Sequence, residues 1–254
     1  MKTAALCACL AAPLCLASPA LAQSSLGFTQ AEAQVGAVSV EGETHATASL
    51  SIDFAITGHH GLQFDLGLAD QATGALGSID GHLYMAPGRG WKYGLFGHLA
   101  DLDGMDATTL AVGAEAMVDL GPATRAEVQA GIGVRNPGSF DFIFAQGALD
   151  HALSDRVGVY VAGMVAEYDE PGFSATGYEG RVGARWHLAS APVVIDASLG
   201  RSGLWGEDSL KAETVARLSV SLTLGADRSA RAPAARQMFR RVAPLAPLQL
   251  RGLE

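Results

Sequence analysis

Over residues 46–224 the chain alternates apolar and polar side chains with a period of two, in runs long enough to decide its architecture. At Ala46, Ala48, Leu50, Ile52, Phe54 and Ile56 the even positions are apolar. Thr47, Ser49, Ser51, Asp53, Ala55 and Thr57 fill the odd ones. Side chains of a strand alternate between the two faces of its sheet, so the pattern builds a sheet with one oily and one polar side. After Gly58, His59 and His60 the same parity resumes at Leu62, Phe64, Leu66 and Leu68, which makes a hairpin. The unit recurs to the end of the alternating region. Its later oily faces are Ile79, Leu83 and Met85; Trp91, Tyr93, Leu95 and Leu99; Leu110, Val112 and Val118; Val128, Ile132 and Val134; Phe140, Phe142 and Phe144; Tyr178, Val182 and Trp186; Val193, Ile195 and Leu199; and Leu218, Val220 and Leu224. Over residues 157–168 both faces are mostly apolar and the facing stays open. This gives eleven strands, and a weaker one over residues 34–41 makes twelve. Pro87, Pro122, Pro137, Pro171 and Pro192 fall at or near turns, where a sheet tolerates them.

Strand length separates the architectures that share this alternation. A globular strand runs to about 5–6 residues, whereas one that crosses a bilayer needs about 9–11. Most runs here reach the longer class. Backbone groups in hydrocarbon have no water to bond, so a sheet there must close on itself. The fold class predicted is therefore all-β, a closed antiparallel transmembrane β-barrel of twelve strands, with apolar residues facing lipid and polar ones facing inward. An even count puts both termini on one side. The turns at 58–60, 87–90, 121–124, near 155 and 189–192 read as shorter than the connections at 70–75, 101–107, 135–138, 169–173 and 201–210, the asymmetry of a barrel with short periplasmic turns and longer outer loops. A soluble secreted sandwich of two sheets is the competing fold.

The N-terminus sets the compartment. Lys2, an apolar stretch over residues 4–17 and Ala20-Leu21-Ala22 before Gln23 read as a secretory signal peptide over residues 1–22. All three cysteines, Cys7, Cys9 and Cys15, lie inside it, so disulfides and cysteine metal sites are excluded downstream. The formal net charge of −9 becomes −10 once Lys2 is removed. That argues against nucleic acid, which is bound by neutralising phosphates. Residues 23–33 read as a loose leader and 34–225 as the barrel.

A signal peptide, repeated amphipathic hairpins and an acidic chain without downstream cysteine together resemble the small porin-like outer-membrane proteins of Gram-negative bacteria. The resemblance covers about residues 34–225. It implies an outer-membrane location, surrounding outer-membrane lipid, the barrel-assembly machinery as a partner, and passive passage of small polar solutes. It implies no cofactor, and it leaves the oligomeric state open. Members commonly end in a strand whose last residue is aromatic. Here the last strand ends near Leu224, and 30 residues follow.

The polar face supplies the residues expected to line the lumen: Asp53, Asp65, Asp80, His82, His98, Glu115, Asp119, Arg125, Glu127, Arg181, Arg185, Asp196, Glu213 and Arg217. Centring each turn gives cross-strand partners. Asp53 is expected opposite Asp65, Asp80 opposite His98, His82 beside Phe96, Asp119 opposite Arg125, and Arg185 opposite Asp196. Mixed charges of this kind either line a water-filled pore or knit a closed lumen, and a closed structural or surface-binding barrel is the second functional reading. Trp91, Tyr93, Phe140 and Trp186 are assigned to the lipid face as interfacial aromatics.

Catalytic signals are absent. There is no Gly-x-Ser-x-Gly elbow, P-loop or His-Glu-x-x-His motif, and no metal set is assigned. Asp101–Asp106 lacks the ligand pattern and closing Glu of a calcium loop. Residues 226–254 change character, with Arg228, Arg231, Arg236, Arg240, Arg241 and Arg251 against Asp227 and Glu254, broken by Pro233, Pro244 and Pro247. They read as an Arg-rich periplasmic tail, disordered or with a short helix over residues 234–242. Plugging the lumen and contact with anionic lipid or peptidoglycan are the other readings.

Overall fold

A computed structural model describes residues 27–71, 74–103, 107–136, 140–170, 172–225 and 229–249. The signal peptide expected over residues 1–22, residues 23–26 of the expected leader and residues 104–106 of the acidic segment lie outside them.

Twelve strands form the wall. They are β1 (Gly27–Val40), β2 (Glu43–Ala55), β3 (His60–Gln71), β4 (Gly74–Gly88), β5 (Trp91–Leu102) and β6 (Ala107–Asp119), then β7 (Thr124–Asn136), β8 (Phe140–Ala152), β9 (Val157–Glu170), β10 (Phe173–His187), β11 (Val193–Gly206) and β12 (Leu210–Leu224). Each pairs antiparallel with its neighbour in sequence. β1 closes the circle on β12, with Val35 opposite Val220. Every backbone edge is thereby used, which is what a sheet surrounded by hydrocarbon requires.

The oily parity faces outward. Leu66, Ile79, Leu95, Val112, Ile132, Val182, Leu199 and Leu218 are all exposed large hydrophobics. The opposite parity buries Asp53, Asp65, Asp80, His82, Glu115 and Glu127 inside. An exterior this apolar is a liability in water and ordinary against lipid. The two-sheet sandwich is excluded, because these side chains pack against no second sheet.

Three expectations are corrected by the wall. β1 starts at Gly27, inside the stretch expected as a loose leader, and brings Gln30 and Glu32 onto the inner face. The difference in connection length disappears. The strands run 12 to 15 residues, and the connections after β3 and β11 shrink to residues 72–73 and 207–209. Near the rim the outward face itself turns polar, as at Arg201 opposite Thr214 and Asp101 opposite Thr108. Alternation therefore stops before hydrogen bonding does. Finally, Asp53 lies opposite Gln63, and Asp65 opposite Ser51 and Asp80. That is a slip of two residues, which keeps each face. Asp80–His98, His82–Phe96, Asp119–Arg125 and Arg185–Asp196 pair as expected.

Many strand glycines make room for rings. Gly61, Gly113, Gly133 and Gly183 sit directly opposite Tyr84, Phe96, Phe142 and Tyr160. A Cβ on Gly133 would lie 2.2 Å from the Phe142 ring. Gly133→Ala is expected to destabilise the barrel by about 1–3 kcal/mol through overpacking. Gly97→Ala, where nothing lies within 4 Å of the added atom, is expected to be neutral or slightly stabilising. The temperature of the heat-modifiable gel shift compares the two. Glu41 and Gly42, at φ 49° and 93°, form the two-residue turn between β1 and β2, where both central residues need positive φ.

Candidate functional site

The interior is built from the inward parity of all twelve strands. On β3 to β6, His82 sits between two carboxylates. Its Nε2 lies 2.9 Å from Asp65 and its Nδ1 2.8 Å from Glu115. Each ring nitrogen thus has a carboxylate oxygen within hydrogen-bond distance. Asp80, the cross-strand neighbour of Asp65, has its own histidine, His98, at 2.5 Å. The close carboxylate pair expected at Asp53 and Asp65 thus occurs at Asp65 and Asp80, with one imidazole for each. Asp53 instead accepts a 2.7 Å hydrogen bond from the Tyr84 hydroxyl.

On β8 to β12 the charges knit a second network. Glu179 accepts from Arg181 and Arg217, both at 2.7 Å. Arg185 donates to Asp150 at 2.9 Å and to Asp196 at 3.0 Å, over the face of Tyr160. Glu213 has the same inward parity near the rim, opposite Ser202.

Asp119, Arg125 and Glu127 are turned toward something else. The C-terminal segment, residues 229–249, lies inside the barrel. It starts at the end that holds both strand termini, where the Ala230 N–H donates to the Asp155 carbonyl and the Ala235 N–H to the Arg89 carbonyl. Asp119 accepts the Ala234 N–H, and Arg125 donates to the Ala232 carbonyl. Midway, the Gln63 amide takes the Phe239 backbone from both sides, at 2.8 and 2.9 Å. The Phe239 ring stacks on His82, meets Tyr84 edge-on and carries the Lys92 ammonium 3.9 Å from its centroid. Lys92 also donates to the Gln237 carbonyl.

The next residue, Arg240, is held by Glu127 at 2.7 Å and by Asp150 at 2.8 Å. Gln129 and Gln146 donate to the carbonyls of Arg240 and Arg241. Farther on, Tyr168 donates to the Pro244 carbonyl. Val242, Leu245 and Leu248 then pack on Phe140, Phe142, Phe144 and Tyr168 toward the opposite end.

Two expectations are corrected here. The tail is not a loose segment outside the barrel: residues 229–249 occupy its interior. Its helical parts are one 3-10 turn at Ala234–Arg236 and α1 at Ala246–Gln249. Phe140, expected on the lipid face, points inward with Phe142 and Phe144 and is buried under the tail. Trp91, Tyr93 and Trp186 do face outward, and Trp205 joins them near the opposite rim against Tyr178. The open facing of β9 resolves with Tyr160, Ala162, Ala166 and Tyr168 inward.

The tail leaves part of the interior empty. A cavity of about 650 Å³ runs between it and the walls of β1, β2 and β9 to β12. Gln30, Glu32, Ser49, Ser51, Ser198, Ser219 and Ser221 line it, together with Arg181, Arg185 and Arg217. The tail contributes Arg236, Met238 and Arg241.

No protein-family model matches the chain, and no curated protein does. Solved structures do. The NanC porin superposes with a TM-score of 0.61 at 7% identity, over 76% of this chain and 100% of its own. The KdgM porin, solved in complex with disordered oligogalacturonate, gives 0.55 at 7% identity, over 75% and 98%. An outer-membrane channel from Pseudomonas putida F1 gives 0.55 at 12% identity, over 82% and 100%.

The fold is that of the porin-like outer-membrane β-barrels.

At these identities the likeness carries architecture alone. In this porin-like barrel the inward residues that sequence reasoning left out are Gln63, Lys92, Gln129, Gln146, Asp150 and Tyr168, which hold the tail, and Glu32, which lines the cavity. Their signal was strand parity. Lys92 lies between outward Trp91 and Tyr93, and Gln63 between Leu62 and Phe64.

Proposed function

We propose that this chain is exported by its signal peptide, is folded by the barrel-assembly machinery into the outer membrane of a Gram-negative bacterium, and passes small polar solutes passively. The observation that carries this reading is the polar cavity beside the tail. Its lining extends from Pro122 and Thr124, at the end where the tail starts, to Val38 and Thr47 in the far half of β1 and β2. Hydroxyls and paired charges line most of that length, a surface that keeps water and exchanges hydrogen bonds with a solute. The outward hydrophobics meet outer-membrane lipid. No aromatic ends β12, so assembly reads some other feature of its last strand.

The tail restricts what passes. Twelve strands enclose more space than the eight-stranded barrels whose interiors side chains fill, and here a chain segment takes up part of the difference. In planar bilayers the full-length protein is expected to give small, ohmic conductance steps, and vesicles containing it to swell in small sugars and amino acids but not in oligosaccharides. The second reading, a closed scaffold, draws on the same tail. Electrically silent bilayers with protein that shows the folded gel form would establish it and end the channel reading.

A further inference from the structure

The tail is bound as a ligand is bound. Among the described residues it forms no ladder with any strand; its backbone bonds to the wall are the two at the turns, to Asp155 and Arg89. Elsewhere wall side chains meet its main chain. Gln63 takes both groups of Phe239, Glu127 the N–H of Arg240, Gln129 and Gln146 the next carbonyls, and Tyr168 that of Pro244. A buried backbone must have its donors and acceptors met, and here β3, β7, β8 and β9 supply the partners from fixed positions. Two side-chain slots set the register. The first is an aromatic slot of His82, Tyr84 and Lys92 around Phe239. The second is an acidic slot of Glu127 and Asp150 around Arg240, which is 20% exposed against 3% for Glu127 and 12% for Asp150.

We propose that this wall is a recognition site for an extended peptide with an aromatic–arginine core, filled in cis by residues 229–249 and able to take the same segment in trans. Tethering explains why the cis segment holds the site. A short connection to Gly225 gives it an effective concentration of about millimolar, against which a free peptide does not compete.

The test removes the tether from the folded full-length protein. A protease site is inserted between Gly225 and Ser229, and the barrel is folded, cleaved in detergent and washed. A fluorescent peptide of residues 229–249 is then added and its polarisation followed. The expected result is saturable binding that Arg240→Gln in the peptide weakens at least about tenfold, as loss of charge-assisted hydrogen bonds should. A scrambled peptide is expected to be weaker still. Glu127→Gln with Asp150→Asn in the barrel is expected to give a similar loss at an unchanged gel shift. Absence of binding to the cleaved barrel, or equal binding of the native and scrambled peptides, overturns the proposal. No solute flux is read, so this result and the channel result stand apart.

Discussion

Leu218→Arg is expected to cost the barrel about 2–4 kcal/mol of folding free energy in a bilayer, while Ser219→Arg, one residue on, is expected to cost less than about 1 kcal/mol. Both lie near the middle of β12, and their environments are opposite. Leu218 is exposed on the outer wall, where a guanidinium would have to enter hydrocarbon. Ser219 lines the cavity, where Glu32, Glu179 and Asp196 stand among the arginines. Denaturant titration of vesicle-embedded protein, followed by tryptophan fluorescence, measures the difference. Equal costs would mean that β12 does not divide lipid from an aqueous interior.

Arg240→Met is expected to free the tail from its seat while the barrel stays folded. The change removes a partner of both Glu127 and Asp150. Asp150 keeps Arg185, whereas the buried Glu127 loses the guanidinium that stands 2.7 Å from it. Removing one partner of a buried pair costs about 3–5 kcal/mol. The partial exposure of Arg240 argues for the lower end. About 3 kcal/mol corresponds to roughly a hundredfold rise in the released population. Hydrogen exchange at residues 238–242 should accelerate by about that factor, with the wall strands unchanged. Adding Glu127→Gln to Arg240→Met should recover part of the loss, because a neutral amide costs less to bury than an unpaired carboxylate.

Much of the wall is legible in the sequence because it is a local code. Each strand declares its two faces by parity, and each turn its approximate partner, so twelve strands, closure and most pairings follow from neighbours. The register at Asp53 slipped by two because His59 and His60 fix no turn centre. The interior was harder to read, because what covers it comes from far along the chain. Phe140, Phe142 and Phe144 look like a lipid face until Val242 and Leu245, about a hundred residues later, are placed over them. Within β8 a clue did exist: the same parity turns polar at Gln146 and Asp150, while Ile143 and Leu149 carry the other face outward. The tail has the arginines and prolines of a solvated segment. Its docked state depends on Gln63, Glu127, Gln129 and Asp150, spread over three strands, and no local pattern joins those positions to Phe239 and Arg240.

One parity of every strand meets lipid, and the other encloses a polar interior. Single cysteines test it cleanly, since Cys7, Cys9 and Cys15 are the chain's only native ones and the strands carry none. Spin labels placed one at a time from 216 to 222 in β12, with the protein in liposomes, report collisions with oxygen dissolved in lipid and with a water-soluble nickel chelate. Oxygen contact at 216, 218, 220 and 222, alternating with nickel contact at 217, 219 and 221, is the expected result. Even positions shielded from both reagents, as they would be between two packed sheets, would contradict it.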